Sequence, residues 1–356
     1  MSNVDNSERV TSLVVETHGT RGSQAVSNPD SVHVGGNTTS LRIKSPCLPP
    51  GMALVIDTGT GFPPMARDIA AEGIVGSSKQ GDGHEDDRVV ILYTHYHFDH
   101  ILGLTTAIPV TFNKNLPVDL IGPVDQGVGP KQMMESLFRP PFFPASYRKV
   151  ASHFAYHPIK EPSTFVILIH PQGGLKIMGL DDYERLVRKN SLMPFKPDDT
   201  NIRLPLEECL VIRMLRTDHP QRAVSYRFDE MPTGKSFVFL TDNEALEAIP
   251  QEYLRHVRGV DFLCLDVQYD EASYFGFASG FGHAWAGFAI RLANAAGVKR
   301  LGTTHHDPFS TDQNVQAIVD EICRLAGEEI ERVEFPVGLI LPANIFACVD
   351  YGRYVV

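Results

Sequence analysis

The sequence predicts an α/β fold. Short apolar runs rich in β-branched residues alternate with segments of helical period, and most of these runs end beside a polar or metal-capable residue. The recurring order is strand, then a loop bearing reactive side chains, then helix. In proteins of this class ligands gather at the loops beyond one set of strand ends, so these polar residues are expected to share a crevice.

The elements follow in order. "TSLVVET" (11–17) has strand composition, and the Gly/Ser-rich stretch 19–39 reads as a loop. "TSLRI" and "MALVIDTG" form an expected strand pair, followed by a helix over "PPMARDIAAEG" and a solvated loop over "SSKQGDGHEDD". "RVVILYT" has the β-branched content of a buried strand, and "SFVFLTD", "DFLCLDV" and "RLGTTH" are three more strands. "HAWAGFAIRLANAAG" has helical spacing and stops at a glycine. "TDQNVQAIVDEICRLAGEE" is an amphipathic helix with Thr311 as its expected N-cap. Residues 160–206 are rich in Pro, Gly and Asn and carry no strong period, so they read as an insertion or cap beside the core.

The 356 residues exceed a typical single-domain length, and one large domain with insertions or two smaller ones would both fit. A composition 43% hydrophobic and 21% charged belongs to a globular chain. A net charge of -11 repels phosphate backbones, which argues against extended nucleic acid as partner. A small anionic substrate stays open, because a bound cation overrides the global sign. The five cysteines form no CxxC pair and read as reduced thiols, consistent with a cytoplasmic setting. No signal peptide and no run of 18 apolar residues is found, so no membrane partner is expected.

The chemistry concentrates in "THYHFDH" (94–100). His95 and His97 two apart at a strand end point to one side, where two imidazoles converge on one cation. Asp99 and His100 follow as the chain turns into a helix and face a second position, which favours a dinuclear site. Further ligand candidates stand at distant strand ends: His219 in "TDHP", Asp242 in "FLTDNE", and His305 or His306 in "GTTHHDP". Asp242 is the choice for a carboxylate bridging two cations. Asp57 in "VIDTG" is placed to accept a hydrogen bond from a ligand histidine. His18, His33, His84, His153, His157, His170 and His256 carry surface or structural readings.

With these residues in hand, the chain resembles metallo-β-lactamase-fold hydrolases, in the branch of ribonuclease Z and the phosphonate-pathway cyclic phosphodiesterase. "GTRGS", "GGNTT", "LVIDTGTG", "THYHFDHILGL", "RPPFFP", "TDHP", "FVFLTDNE", "LCLDVQYDEASY", "GFGHAWAG" and "GTTHHDP" match in order over most of the chain. The resemblance implies an αββα sandwich with the site at one edge of the sheets. It implies one metal on His95, His97 and His219, a second on Asp99, His100 and His305, and Asp242 between them. His305 fits the last ligand better than His306, which is left a substrate-side or supporting role. The resemblance also makes Asp266 the carboxylate that orients His283, a histidine opening a helix and able to protonate a leaving alkoxide. Asp99, Asp266 and His283 are thus the expected catalytic residues. The family's usual Gly-His-Ser-Thr reads Gly-His-Ala-Trp here, so help from two hydroxyls is absent.

The activity this implies is a metal-dependent hydrolase using two divalent ions, with Zn2+ first and Mn2+ or Fe accepted by the same ligands. It would cleave a small, even cyclic, phosphodiester through a metal-bridging hydroxide. Hydrolysis of a lactone, carboxylic ester or β-lactam is the second reading. A non-catalytic ligand-binding module and flavin-linked di-iron chemistry are more distant ones. A tRNA substrate is disfavoured, since no long Gly/Pro/Lys-rich arm is present. Related enzymes are often dimers, so the oligomeric state is left open with a homodimer among the options. Trp285, the single tryptophan, and Phe142 and Phe143 are candidates for the pocket wall.

Overall fold

The computed structural model describes residues 10–77, 86–195, 201–333 and 338–356. The expected loop over 77–87 falls largely outside these residues, as does His84. In chain order the strands are β1 (Val14–Gly19), β2 (Ser40–Lys44), β3 (Met52–Ile56), β4 (Arg88–Leu92), β5 (Val118–Pro123) and β6 (Phe154–Ile159). Then come β7 (Phe165–His170), β8 (Gly174–Gly179), β9 (Met193–Phe195), β10 (Ile202–Leu204), β11 (Leu210–Thr217) and β12 (Ala223–Glu230). The last five are β13 (Lys235–Leu240), β14 (Phe262–Asp266), β15 (Leu301–Thr304), β16 (Ile345–Ala347) and β17 (Gly352–Val355).

One sheet has the order β17-β1-β2-β3-β4-β5-β6, and the other β16-β15-β14-β13-β12-β11-β7-β8. In each, a parallel part carries most of the candidate site, β3 to β6 in the first and β13 to β16 in the second, while β11 is antiparallel to both its neighbours. Alternation along the strands explains the four layers. Leu54, Ile56, Val90 and Leu92 of the first sheet share a buried cluster with Ile212, Phe228, Phe237 and Phe239 of the second. Their neighbours Ala53, Val55, Val89 and Ile91 point the other way, onto Phe62, Met65 and Ile69 of the helix Phe62–Ala71. On the far side Val238, Leu240, Leu263 and Leu265 pack on Phe288 and Leu292 of the helix Ala286–Ala296 and on Ile318 and Ile322 of the helix Asp312–Arg332. Parallel strands covered on both faces read as continuous apolar runs, which is why "RVVIL" and "FLCL" lack alternation. The expected helix ends are present: Gly297 is left-handed after Ala296, and Thr311 accepts from Asn314 N.

The expectation for 160–206 needs correction. This segment supplies β7 and β8 to the large second sheet, with β7 paired to β11, and its "VILI" is buried. Only the part after β8 lies off the sheet, as a helix (Leu180–Arg188) and the β9–β10 pair, which pack Tyr183, Met193 and Phe195 onto Val166, Leu168 and Val211. The flanking Pro and Gly residues mark turns around a core strand rather than a cap. The cysteines also differ from their spacing in sequence. Cys264 and Cys348 lie with their sulfurs 3.7 Å apart, both buried and free.

Candidate metal centre

The candidate residues leave the C-terminal ends of strands. Asp57 follows β3, the heptad follows β4, His219 follows β11, Asp242 follows β13, Asp266 ends β14 and His305 follows β15. Asp57, Asp242 and His305 all have positive φ, at 55°, 51° and 58°. A left-handed residue there turns the chain sharply off the strand, at a cost of order 1–3 kcal/mol each. Asp tolerates this region better than most residues.

His95 and His97 do converge, but not by strand alternation. β4 stops at Leu92 and both lie in the following loop. The two rings also present different nitrogens. His97 Nε2 bonds Gln221 Oε1 at 2.7 Å, and its Nδ1 lies 3.4 Å from His219 Nε2. His95 Nδ1 lies 3.1 Å from the Thr94 hydroxyl, and its Nε2 is 3.6 Å from Asp242 Oδ1.

Two groups form. In His95, His97, His219 and Asp242 the potential ligand atoms lie within 4.8 Å of one another, and the same holds for Asp99, His100 and His305. Asp242 touches both. Its Oδ1 is 3.7 Å from His219 Nε2 and 3.5 Å from His305 Nε2, and its Oδ2 is 3.2 Å from His100 Nε2. Asp99 Oδ2 is 3.2 Å from both His100 Nε2 and His305 Nε2. A third set, Asp242, His283 and His305, also meets within 4.8 Å.

The outer nitrogens are held. His100 Nδ1 donates to Asp57 Oδ2 at 2.8 Å, and Asp57 is fixed by Thr94 N and Thr94 Oγ1 at 2.8 and 2.7 Å. His219 Nδ1 donates to Gly282 O at 3.0 Å, and His305 Nδ1 lies 3.2 Å from Gln268 Oε1. Two glycines make these approaches possible. A Cβ on Gly22 would stand 2.3 Å from His305 Nδ1, and one on Gly282 only 2.1 Å from His219 Nδ1. Asp57→Asn tolerates the same backbone but weakens the acceptor. It is expected to lower metal affinity about 10–100-fold, read by competition with a chelator. Unchanged affinity would remove Asp57 from that supporting role.

His283 Nδ1 bonds Asp266 Oδ2 at 2.8 Å, so Nε2 is the nitrogen left free of that contact. Its ring stacks on His305 at 4.9 Å. His283 does not open the helix as expected: the helix begins at Ala286 with Trp285 as N-cap, and His283 lies in the preceding loop. His306 also departs from expectation. It is buried and turned away, with Nε2 donating to Cys348 O at 3.0 Å, so it braces the strand behind the site. Trp285 packs on Tyr274 and Phe275. Phe143 packs on Phe138, while Phe142 is exposed.

Sequence reading missed several supports. Ser23 N donates to Asp99 Oδ2 at 2.8 Å, and buried Arg21 donates to Gly35 O, Asp307 O and Ser310 O, tying "GTRGS" to the His305 loop. Glu244 receives Gly282 N at 2.7 Å and the Tyr274 hydroxyl. The motifs were visible, but backbone donors and contacts across more than 200 residues leave no periodic signal.

The electrostatics favour a cation. Burial alone would push the Asp242 carboxyl up, but the imidazoles of His305, His100 and His95 outweigh it and hold it well below the usual range. Burial opposes charge on His100, yet Asp99, Asp242 and Asp57 raise it well above an ordinary imidazole. His305 is pushed up to about 9 against burial by Asp242, Asp266 and Asp99. Burial drives His95 far down. Its Nε2 is buried with no hydrogen-bond partner while aimed at Asp242. An orphaned imidazole nitrogen among carboxylates and imidazoles with tied outer nitrogens is a donor set that fits a divalent cation.

This arrangement has known counterparts. The four layers and the strand-end cluster define a metallo-β-lactamase fold. A family model described as the beta-lactamase superfamily domain matches residues 54–306, and the chain belongs to that family of metal-dependent hydrolases. No curated protein matches by sequence. Among solved structures, the metallo-beta-lactamase fold protein YhfI from Bacillus subtilis aligns at TM-score 0.54 with 13% identity, over 96% of this chain and 99% of that one. A diphosphatase of the PhnP family aligns at 0.53 with 16% identity, over 97% and 98%. Unliganded yeast PDE1 aligns at 0.58 with 11% identity, over 98% and 100%. At such identities these likenesses speak for the fold alone. Among the described residues no helix is long and apolar enough to cross a membrane.

Proposed function

We propose that the chain is a dinuclear metal-dependent phosphodiesterase acting on a small anionic diester. The observation that carries the dinuclear reading is Asp242, whose two oxygens reach both ligand groups. His95 Nε2, His97 Nδ1, His219 Nε2 and one Asp242 oxygen would hold one ion. Asp99, His100 Nε2, His305 Nε2 and the other Asp242 oxygen would hold its neighbour. Divalent cations bound there would supply Lewis acidity, lowering the pKa of a water and drawing charge from phosphoryl oxygens. All five imidazoles suit Zn2+, and Mn2+ or Fe are compatible.

The bond cleaved is argued from Asp266 and His283. With Nδ1 bonded to Asp266, His283 presents Nε2 to a leaving alkoxide, and the carboxylate fixes the orientation of the ring that would protonate it. Asp266 Oδ2 also accepts Asp242 N at 3.1 Å, so the acid and the shared ligand are set by one carboxylate. A phosphodiester with an alkoxide leaving group needs such an acid, and a strained ring needs it less. One protein of this fold is a diphosphatase of the PhnP family, so phosphorus-centred hydrolysis occurs on the same architecture, which is consistent with this choice. Ala284 and Trp285, which bring no aliphatic hydroxyl beside His283, favour lactone or carboxylic-ester hydrolysis as the second reading. A panel comparing bis-nitrophenyl phosphate with lactones and β-lactams separates the two. Diester turnover exceeding ring opening supports the proposal, and the reverse order overturns it.

A further inference from the structure

Beyond the ligand cluster, the rings continue outward in a row. Tyr269 stands 6.2 Å from His283, Phe277 stands 5.9 Å from Tyr269, and Phe281 stands 6.4 Å from Phe277. Successive interplanar angles are 66°, 76° and 64°. Tyr269 is buried, whereas Phe277 and Phe281 are 62% and 54% exposed. The other exposed ring of this loop, Phe275, is already engaged by Trp285 at 5.2 Å and Tyr274 at 5.1 Å.

The loop bearing this row is held in place. Tyr269 N and Gln268 N both donate to Ala284 O, and Asp270 caps Ser273 N at 2.7 Å. Glu244 grips the loop twice, through the Tyr274 hydroxyl and Gly282 N. Gly282 O in turn receives His219 Nδ1, so the loop's register is tied to a candidate ligand. Two large rings left in water on a braced loop form a preorganised surface.

We propose that Tyr269, Phe277 and Phe281 form the leaving-group subsite, and that it accepts a leaving group carrying a planar aromatic ring. This rests on the reading of His283 as the acid: the group it protonates departs on its side, along this row. The edge-to-face spacing fixes the chemistry. Rings 4.5–7 Å apart in tilted or T-shaped order gain from their quadrupoles as well as from burial. Another ring extends this herringbone, whereas a saturated chain gains burial only.

The test uses the full-length, metal-loaded protein and three methyl phosphodiesters: 2-phenylethyl, 2-cyclohexylethyl and ethyl. Binding is measured in parallel by calorimetry with the matching phosphonates, in which a methylene replaces the leaving oxygen. The phenyl compounds are expected to be favoured about tenfold over the ethyl ones in both kcat/KM and Kd, with cyclohexyl between them. In Phe277→Ala/Phe281→Ala the phenyl-to-ethyl ratio falls towards one. Phe277→Leu/Phe281→Leu keeps apolar bulk and loses the phenyl-over-cyclohexyl preference; melting temperatures near wild type show that both variants fold. A ratio that survives both substitutions, or equal use of phenyl and cyclohexyl, overturns the subsite. Diesters cleaved without any preference defeat this inference alone. No diester cleaved while lactones are opened defeats the phosphodiesterase reading, and this inference with it.

Discussion

His283→Ala is expected to slow hydrolysis of alkyl phosphodiesters by about 10²–10⁴-fold, the range a positioned general acid supplies. Esters of nitrophenol, whose leaving group departs without a proton, should lose far less. The reason lies in the contacts of the ring: Nδ1 is committed to Asp266, and stacking on His305 points it at the cluster. The same variant decides a competing role, since His283 also meets Asp242 and His305 closely enough to share an ion. An acid can be lost without losing metal, so the variant should retain the wild-type metal content. Equal losses on both ester types would remove His283 as the acid, and a fall in bound metal would make it a ligand instead.

Asp242→Asn is expected to lower bound metal from two ions per chain to about one and to cut kcat/KM by on the order of 10²–10³. Asn keeps the left-handed backbone that Asp242 adopts at φ 51°, so the change isolates charge from conformation. The carboxylate lies among four imidazoles, those of His95, His100, His219 and His305. An amide in its place offers one neutral oxygen and turns a donor nitrogen towards one of the groups. Metal content and activity both matching wild type would mean that Asp242 does not bridge.

Much of this site was legible in the sequence because its residues follow strands. Apolar runs mark where strands stop; candidate ligands follow β4, β11, β13 and β15, and the supporting Asp57 follows β3. His95 and His97 converge without strand alternation, since both lie in a loop beyond β4 and their rings use different nitrogens. His305 and His306 could not be told apart by spacing. A left-handed φ of 58° at His305 swings one ring into the cluster and leaves the other on Cys348 O. In residues 160–206, turn-forming residues on either side hide the five apolar positions of β7. Glu244, Gln221 and Gln268 act through contacts distant in sequence, and the same residue types occur on ordinary surfaces. The aromatic row shows only as scattered Tyr and Phe until the loop's path brings the rings together.

The central claim is that two divalent ions share this cluster and together support diester hydrolysis. Metal-stripped protein titrated with Zn2+, with bound metal and bis-nitrophenyl phosphate turnover followed on the same preparation, tests it directly. The predicted result is activity that is negligible without metal and reaches its plateau at two ions per chain. A plateau at one ion, or full turnover in the stripped protein, would contradict it.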